Sequence, residues 1–596
     1  MKPTFKVSDI LQPLPLRQAE LSGEIGRRVA DLIRGNFMAL NLENDFVEPF
    51  RSRPFTGGYH YIGVGKVIDA GSLFAAYAGD SAVRDRVARL IAEVWGTRDA
   101  DGYLGTFKPE PGAAQNHHNW VLHDQEYLVL GLAHHWLATG DAASLQHAQD
   151  LGDYVIATFS HDPKPEEICT AGLPEAFLVL FGCTGEERYL KFAAEIRHGC
   201  GSAEIRCASL RDWRQTFDTK PAHVYVMLAR CYAQTELYRH DGEDALLEMS
   251  RYMRRELLRA GGGLNVVGSA SDGEHFSYTQ NGAGSIGESC VTAYLLRWLD
   301  SLMRLSGDLR YGDIMERTIY NALFAAQDPA GRRIRYFTPF TGPREYFDQD
   351  GFCCPGNFRR IMAELPRMVY YRYGADGIAV NLYTPSQMTV RLNSDTAVTL
   401  IQETDYPNSG QVRFRVSLPR PTSFALRLRI PRWSRGATVR INDEAPVMVP
   451  DEGKGSELRR SWQADDTVIL DMPLCWRFVK GRQMQEGKVA LLRGPVAYCL
   501  GTAQNEELLK KYPNFHGVVV DSTTIGEPEP DASIRPDGWQ VKAAAKVEGK
   551  GEWSKGAPQE TLVFTEFVDP TGIMTYFHVL DLASAGEDEL IGNCLD

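Results

Sequence analysis

Five short turns of one form, a glycine followed by an acidic residue, divide the first half of this 596-residue chain. They are Ala78-Gly79-Asp80, Thr139-Gly140-Asp141, Thr184-Gly185-Glu186, Asp241-Gly242-Glu243 and Ser306-Gly307-Asp308. A glycine can end a helix in the left-handed conformation, and the acid after it favours the N-terminus of the next helix. Apolar segments such as Tyr127-Leu128-Val129-Leu130 precede the turns, and amphipathic ones such as Tyr189-Leu190-Lys191-Phe192 follow. Successive glycines are 61, 45, 57 and 65 residues apart, room for a helical pair each time. Helical hairpins repeated at this pitch either stack into an open solenoid or close into a toroid of inner and outer helices. Connections rich in glycine and aromatics, such as Gly57-Gly58-Tyr59-His60-Tyr61, suit the lining of a central cleft and favour closure. The open solenoid would instead be a protein-binding scaffold.

Near residue 370 the hydrophobic period changes to two. Val412, Phe414, Val416 and Leu418 alternate with polar neighbours, as do Phe424, Leu426, Leu428 and Ile430, with Pro419 to Pro421 as the turn between them. Strand signals continue through Ala437 to Ile441 and Val468 to Leu470, and a second β-rich segment starts near Val489. Short alternating strands with turns between them predict antiparallel sandwiches. A chain this long exceeds one core. The expected division is a helical body over 1–368 and β-sandwich modules over 369–482 and 483–596.

A net charge of −13 argues against nucleic acid and against an anionic membrane surface as partners. No uninterrupted apolar run approaches membrane-spanning length. Met1 to Glu20 has no apolar stretch of the kind a secretion signal needs, and eleven scattered cysteines, an odd number, read as reduced thiols. A cytoplasmic location is expected.

The chemistry concentrates in the helical body. Cys353-Cys354 lies within Gly351-Phe352-Cys353-Cys354-Pro355-Gly356-Asn357, and Glu288-Ser289-Cys290 lies upstream. Three thiols and a carboxylate make a four-ligand set that zinc accepts. One such thiolate could also be a nucleophile, since the thiolate is the reactive form of cysteine. A blander alternative is that the adjacent cysteines fill a tight buried turn before a proline.

The order Gly273-Glu274-His275-Phe276, Glu288-Ser289-Cys290, Met315-Glu316-Arg317-Thr318-Ile319-Tyr320-Asn321 and Cys353-Cys354-Pro355-Gly356-Asn357 resembles glycoside hydrolase family 127. The best-known members of that family are β-L-arabinofuranosidases. Leu428-Arg429-Ile430-Pro431-Arg432-Trp433 and Leu492-Arg493-Gly494-Pro495 resemble its β domains. The resemblance implies an (α/α)6 barrel followed by β-sandwich domains, and a retaining hydrolysis of a terminal furanoside. It implies Cys353 as nucleophile, Glu274 as general acid/base, and Glu288, Cys290, Cys353 and Cys354 as ligands of Zn2+. His223, Glu316 and Tyr336 fall where the family contacts sugar hydroxyls or supports the site. An oligosaccharide or glycoside substrate and a homodimer formed through a β-sandwich are further implications.

Read from the residues alone, each assignment has an ordinary alternative. Glu274 could be a solvated loop acid, Glu288 a residue of a helix's first turn, and His223 a satisfied core histidine. Tyr336 could be a strand aromatic, and Glu316 half of an ion pair with a nearby arginine. Two functional alternatives also stand: a carboxylate-only barrel glycosidase or lyase, and a non-catalytic glycan-binding scaffold with structural zinc. Two segments depart from the family pattern. Gly172-Leu173-Pro174-Glu175 stands where a Gly-His-Pro-Glu turn is expected, and His123-Asp124-Gln125-Glu126-Tyr127 replaces a Tyr-Cys-Ala-Gly-His sequence. Both concern sugar-reading positions, so the reaction class is better defined than the sugar.

Overall fold

The computed structural model describes residues 5–56, 60–108, 119–160, 171–196, 209–211, 223–392, 395–450, 455–512, 517–547 and 559–592. Gly57 to Tyr59 of the glycine- and aromatic-rich connection lie outside the described residues, as do Cys169, Cys200 and Cys207 among the scattered cysteines.

The helical hairpins close. Six inner helices, Val64–Ala78, Asn119–Thr139, Leu173–Thr184, Val224–Asp241, Ser289–Ser306 and Cys353–Glu364, each pack on the next, and the last returns to the first. Outside them lie Ser81–Trp95, Ala142–Phe159, Glu187–Glu195, Glu248–Leu258 and Tyr311–Thr318. The five glycine–acid turns are the points where an inner helix hands over to the outer layer. Gly79, Gly140, Gly185, Gly242 and Gly307 all take the left-handed conformation, with φ from 66° to 77°. Asp80 and Asp141 then cap the following helices, accepting from the Ala82 amide and from the Ala143 and Ser144 amides. The structure is the toroid, not the solenoid.

Because every such turn sits at the C-terminal end of an inner helix, the inner helices run in one direction and their N-termini share one face. Close approach is set by small residues. A Cβ on Gly65 would meet the Tyr127 backbone at 2.1 Å, and one on Gly131 would meet the Gly65 carbonyl oxygen at 2.5 Å. These glycines let the first two inner helices touch backbone to backbone.

The barrel axis is crossed by a buried polar network to which all six inner helices contribute. Arg360 donates to Asp69 at 2.6 Å and to Glu175 at 2.9 Å, and Arg297 donates to Glu175 at 2.6 Å. Tyr127, Tyr225 and Tyr294 join through their hydroxyls, at 2.5 Å and 3.0 Å from that of Tyr127. Burial alone would raise the Glu175 carboxyl, but Arg297 and Arg360 bring it down to about 2.

The β layers follow. One sheet orders strands Leu11–Pro13, Tyr370–Tyr373, Gly377–Val380, Thr422–Leu428 and Ser456–Trp462. A second, seven-stranded sheet runs from Val447–Met448 through Gln411–Ser417 and Ala397–Thr404 to Ala19–Leu21. Val412, Phe414 and Val416, and Phe424, Leu426 and Leu428, are fully buried, as their alternation predicts. Two details differ from the expected division. Leu11–Pro13 and Ala19–Leu21, upstream of the barrel, are edge strands of these two sheets, pairing with Tyr371 to Tyr373 and with Ser386 to Met388. Three-residue strands separated by prolines are too short to carry a readable period. Strand Trp476–Lys480 pairs with Val489–Arg493, so the 482/483 boundary falls inside the C-terminal sheet. Val489–Arg493 and Val496–Gly501 also pair with each other, so the C-terminal strand order returns on itself.

No helix among the described residues is long and apolar enough to cross a membrane.

Candidate active site and metal centre

The site lies where the N-termini of the inner helices meet. Cys353 and Cys354 are the first two residues of the Cys353–Glu364 helix, after Phe352 in extended backbone. Glu288 is the N-cap of the Ser289–Ser306 helix, with Cys290 in its first turn, and His223 is the N-cap of the Val224–Asp241 helix. Lys66 lies in the first turn of the Val64–Ala78 helix, and His123 is the fifth residue of the Asn119–Thr139 helix. Each helix N-terminus carries about half a positive charge, so the shared face favours anions such as a thiolate.

The four expected ligand residues converge. One ligand atom each from Glu288, Cys290, Cys353 and Cys354 all lie within 4.8 Å of one another, and all four residues are buried. Cys354 Sγ is 3.2 Å from Cys290 Sγ and 3.6 Å from Glu288 Oε1, and Asn357 Nδ2 donates to Cys290 Sγ at 3.2 Å. Glu288 Oε2 is buried with no hydrogen-bond partner among the described residues. A tetrahedral zinc with about 2.3 Å bonds to sulfur sets its sulfurs roughly 3.8 Å apart. The cluster's size, its thiolate-rich donors and the orphaned carboxylate oxygen all fit such an ion.

Electrostatics separate the three thiols. Hydrogen bonds from Cys290 and Cys354 hold Cys353 well below the ordinary thiol range against its burial, with help from Lys66 and Tyr336. Burial pushes Cys290 and Cys354 up, and burial with the Cys353 charge pushes Glu288 up. Cys183 and Cys231 stand outside the cluster, and burial raises both, Cys183 to about 12.

Glu274 reaches the site from a two-residue turn. Ser271–Asp272 and His275–Phe276 form a hairpin whose central residues, Gly273 and Glu274, have φ of 55° and 68°. Turns with positive φ at both positions match the twist of paired strands, and a glutamate there is held against a cost of about 1–2 kcal/mol. The hairpin is pinned by the Val224 amide donating to the Glu274 carbonyl at 2.9 Å and by Gly273 N to Ser285 O at 2.8 Å. Its carboxylate accepts from the Tyr336 hydroxyl at 2.5 Å and lies 3.6 Å from His223 Nε2. His223 Nδ1 in turn lies 4.0 Å from Glu288 Oε2. Tyr336 and His223 thus stand with Glu274 and the thiols.

Glu316 does not. It is buried at the join of the barrel and the β layers, where it accepts from Arg429 and from Tyr406 and Trp433 at 2.6 Å and 3.1 Å. The expectation of a sugar contact is corrected: three donors from the β layers consume both its oxygens. Arginine pairing was the ordinary alternative for this residue, with the arginine coming from a different part of the chain.

Sequence reasoning quoted the segments that hold Tyr61, Glu126 and Asn357 without giving those residues a role, and it passed over Lys66 altogether. Lys66 carried a signal: it is a lysine inside the apolar run Val64-Gly65-Lys66-Val67-Ile68. It is fully buried, with Nζ 4.1 Å from the Tyr127 ring centroid. The two segments that depart from the family pattern touch each other, the Gly172 amide donating to Glu126 Oε1 at 2.8 Å.

Comparisons with known proteins agree with this geometry. Residues 27–367 match the family model described as the β-L-arabinofuranosidase GH127 catalytic domain, and residues 377–474 match the GH127 middle domain. The chain is 24% identical over 502 residues to a non-reducing end β-L-arabinofuranosidase of Bifidobacterium longum subsp. longum, covering 73% of this chain and 74% of that one. Among solved structures it resembles a GH127 β-L-arabinofuranosidase from Geobacillus stearothermophilus T6, at 21% identity and a TM-score of 0.78, covering 94% of this chain and all of that one. A second GH127 β-arabinofuranosidase gives 20% identity and a TM-score of 0.80 over 97% of this chain and 99% of that one. At these identities the structural likenesses establish the fold.

Proposed function

This chain belongs to glycoside hydrolase family 127 and is a glycoside hydrolase, and on that footing we propose that it removes a terminal furanose, with β-L-arabinofuranose the leading candidate, from oligosaccharides by double displacement. Cys353 is the nucleophile and Glu274 the general acid/base. The observation that carries the reading is the Tyr336 hydroxyl, which lies 3.5 Å from Cys353 Sγ and 2.5 Å from Glu274 Oε1. Those contacts keep sulfur and carboxylate within about 6 Å, near the roughly 5–5.5 Å spacing of retaining glycosidases.

In the first step the Cys353 thiolate bonds to the anomeric carbon as the bond to the leaving oxygen breaks. Glu274 gives its proton to that oxygen. In the second step Glu274 takes a proton from water, whose oxygen replaces sulfur at the anomeric carbon with net retention. Tyr336, donating to Glu274 Oε1, orients the carboxyl and leaves Oε2 to carry the moving proton. Glu288, Cys290, Cys353 and Cys354 would hold zinc, which when bound keeps its thiol ligands deprotonated. Asn357 and Lys66 add a hydrogen bond and a positive charge on the protein side of the thiol cluster.

A carboxylate-only reading has one observation in its favour, His223 set between Glu274 and Glu288. One experiment separates the two. The protein is incubated with a haloacetamidyl β-L-arabinofuranoside and its intact mass and peptide map are recorded, alongside kinetics of Cys353→Ser. An adduct at Cys353 and a Ser variant without turnover are expected. An unlabelled Cys353, or a Ser variant retaining most of its activity, would sink the thiolate mechanism.

A further inference from the structure

This inference rests on the glycosidase reading and concerns a second place where the chain takes hold of its sugar. A cavity of about 580 Å3 lies at the seam of three parts of the chain. They are the helix Gly23–Asp31, the loop after strand Ala397–Thr404, and the turn before strand Trp539–Val547. Its size falls within the roughly 300–1,000 Å3 of small-ligand sites, which favour such junctions. None of its lining residues belongs to the site of Cys353 and Glu274.

The walls are fixed. A Cβ on Gly23 would meet Pro385 Cδ at 2.5 Å, so the start of the helix is pressed against the β layers. On the opposite side Arg535, only 5% exposed, donates through Nε and Nη2 to Glu566 and through Nη2 to Asn408 Oδ1 at 2.8 Å. Asn408 Nδ2 donates to the Asp537 carbonyl at 2.8 Å, and the Trp539 amide to Glu566 Oε1 at 3.2 Å.

Bonding capacity is left over on both sides. Arg535 Nη1 donates to the Pro536 carbonyl at 3.2 Å and carries a second proton. Glu24 Oε2, across from it, is 3.8 Å away, too far for a hydrogen bond, and Glu24 is already paired with Arg27 and Arg28. Asp405 and Asp537 are exposed and offer acceptor oxygens, and Trp539 is partly exposed in the same lining. Three carboxylates, Glu24, Asp405 and Asp537, stand against two guanidiniums, Arg27 and Arg535, so the charges nearly cancel. An anion would be repelled by Asp405 and Asp537, and an amine would leave the Arg535 proton unmet. A neutral polyhydroxylated ring answers every group, because its hydroxyls both give and accept and its C–H face suits an indole. We infer that this seam is a second carbohydrate site, which holds a sugar unit of the oligosaccharide without cleaving it. One hydroxyl accepts from Arg535 Nη1, others donate to Asp405 and Asp537, and the ring lies on Trp539.

The test is calorimetric titration of the full chain with a β-L-arabinofuranosyl disaccharide, after Cys353 has been capped with the haloacetamidyl β-L-arabinofuranoside to fill the cleavage site. Wild type is compared with Trp539→Ala and, because that tryptophan begins a strand, with Asp405→Ala at an exposed side chain. Capped wild type should bind one further disaccharide. Trp539→Ala should weaken that binding by about tenfold or more and Asp405→Ala by about threefold or more. Uncapped, both should keep kcat/KM on an aryl β-L-arabinofuranoside within about twofold of wild type. Capped wild type that takes up no disaccharide up to about 20 mM would overturn the inference. So would equal binding by wild type and both variants, or tighter binding of 1,4-diaminobutane or inorganic phosphate at the same residues. If Cys353 takes no label and no glycoside is turned over, the glycosidase reading falls and this inference with it. A chain that turns over glycosides yet binds no second sugar removes this inference alone.

Discussion

The Tyr336 hydroxyl donates to Glu274 Oε1 at 2.5 Å while standing 3.5 Å from Cys353 Sγ. One phenol thus joins a carboxylate presented by a hairpin turn to a thiol presented by a helix N-terminus. The same segment fastens the thiol side of the site, since the Tyr336 carbonyl accepts from the Ser289 amide at 2.9 Å and the Arg335 carbonyl from the Ser289 hydroxyl at 2.6 Å. Burial and the neighbouring Cys353 charge push the phenol well up, so it remains a donor at any working pH.

Tyr336→Phe should therefore lower kcat by about 10- to 100-fold with a smaller change in KM. Glu274→Gln should cost more, about 100- to 10,000-fold with a poor leaving group, and visibly less in the first step with an activated aryl leaving group that needs little protonation. Steady-state and burst kinetics on both kinds of glycoside check this. A leaving-group-independent loss in Glu274→Gln would count against the acid role.

Elemental analysis of protein prepared without chelator should find about one zinc per chain, the stoichiometry of one closed four-ligand site. Cys290→Ser and Cys354→Ala should each lower that content and the melting temperature together. Chelation should abolish turnover, and added zinc should restore it. Full activity at zero metal content would remove the metal centre from the mechanism.

Glu175 and Glu24 are among the buried carboxylates that contribute to acid stability. Burial works against both carboxylates, yet Arg297 and Arg360 bring Glu175, and Arg28 and Arg535 bring Glu24, to about 2 from an ordinary 4.5. Folded values below the unfolded ones mean that the ionised forms stabilise the fold. That stability is fully present above about pH 4.5 and is lost as pH falls through 2, on the order of 3 kcal/mol for each group. Urea unfolding between about pH 5 and pH 2 should trace the loss. Glu175→Gln, which deprives two buried arginines of their partner, should cost roughly 3–5 kcal/mol near neutral pH and flatten the acid dependence.

Glu316→Gln is expected to behave differently from the site variants. It weakens the Arg429, Tyr406 and Trp433 contacts that join barrel to β layers. The melting temperature should fall while KM for the glycoside stays within about twofold of wild type. A large KM increase at unchanged stability would return Glu316 to the sugar site.

Much of this architecture is legible in the linear chain because its signals are local. A glycine in the left-handed conformation and an aspartate that caps the next helix act within a few residues, so the hairpins of the barrel can be read off Gly79-Asp80 or Gly140-Asp141. The period of two through Val412 to Ile430 likewise marks its strands, and the cysteine and glutamate motifs mark the thiol cluster. Ring closure is what tertiary structure decided. Closing six same-direction helices gathers their N-termini, and only then do Cys353, Glu288, His223 and Lys66 share one electrostatic environment. Closure also assigns partners across hundreds of residues. It gives Glu316 to Arg429, makes Leu11–Pro13 an edge strand beside Tyr370–Tyr373, and leaves Lys66 Nζ and Glu126 Oε2 without a hydrogen bond among the described residues. Local propensity reaches only a few residues along the chain, whereas a buried charge is settled by whichever group packing brings beside it.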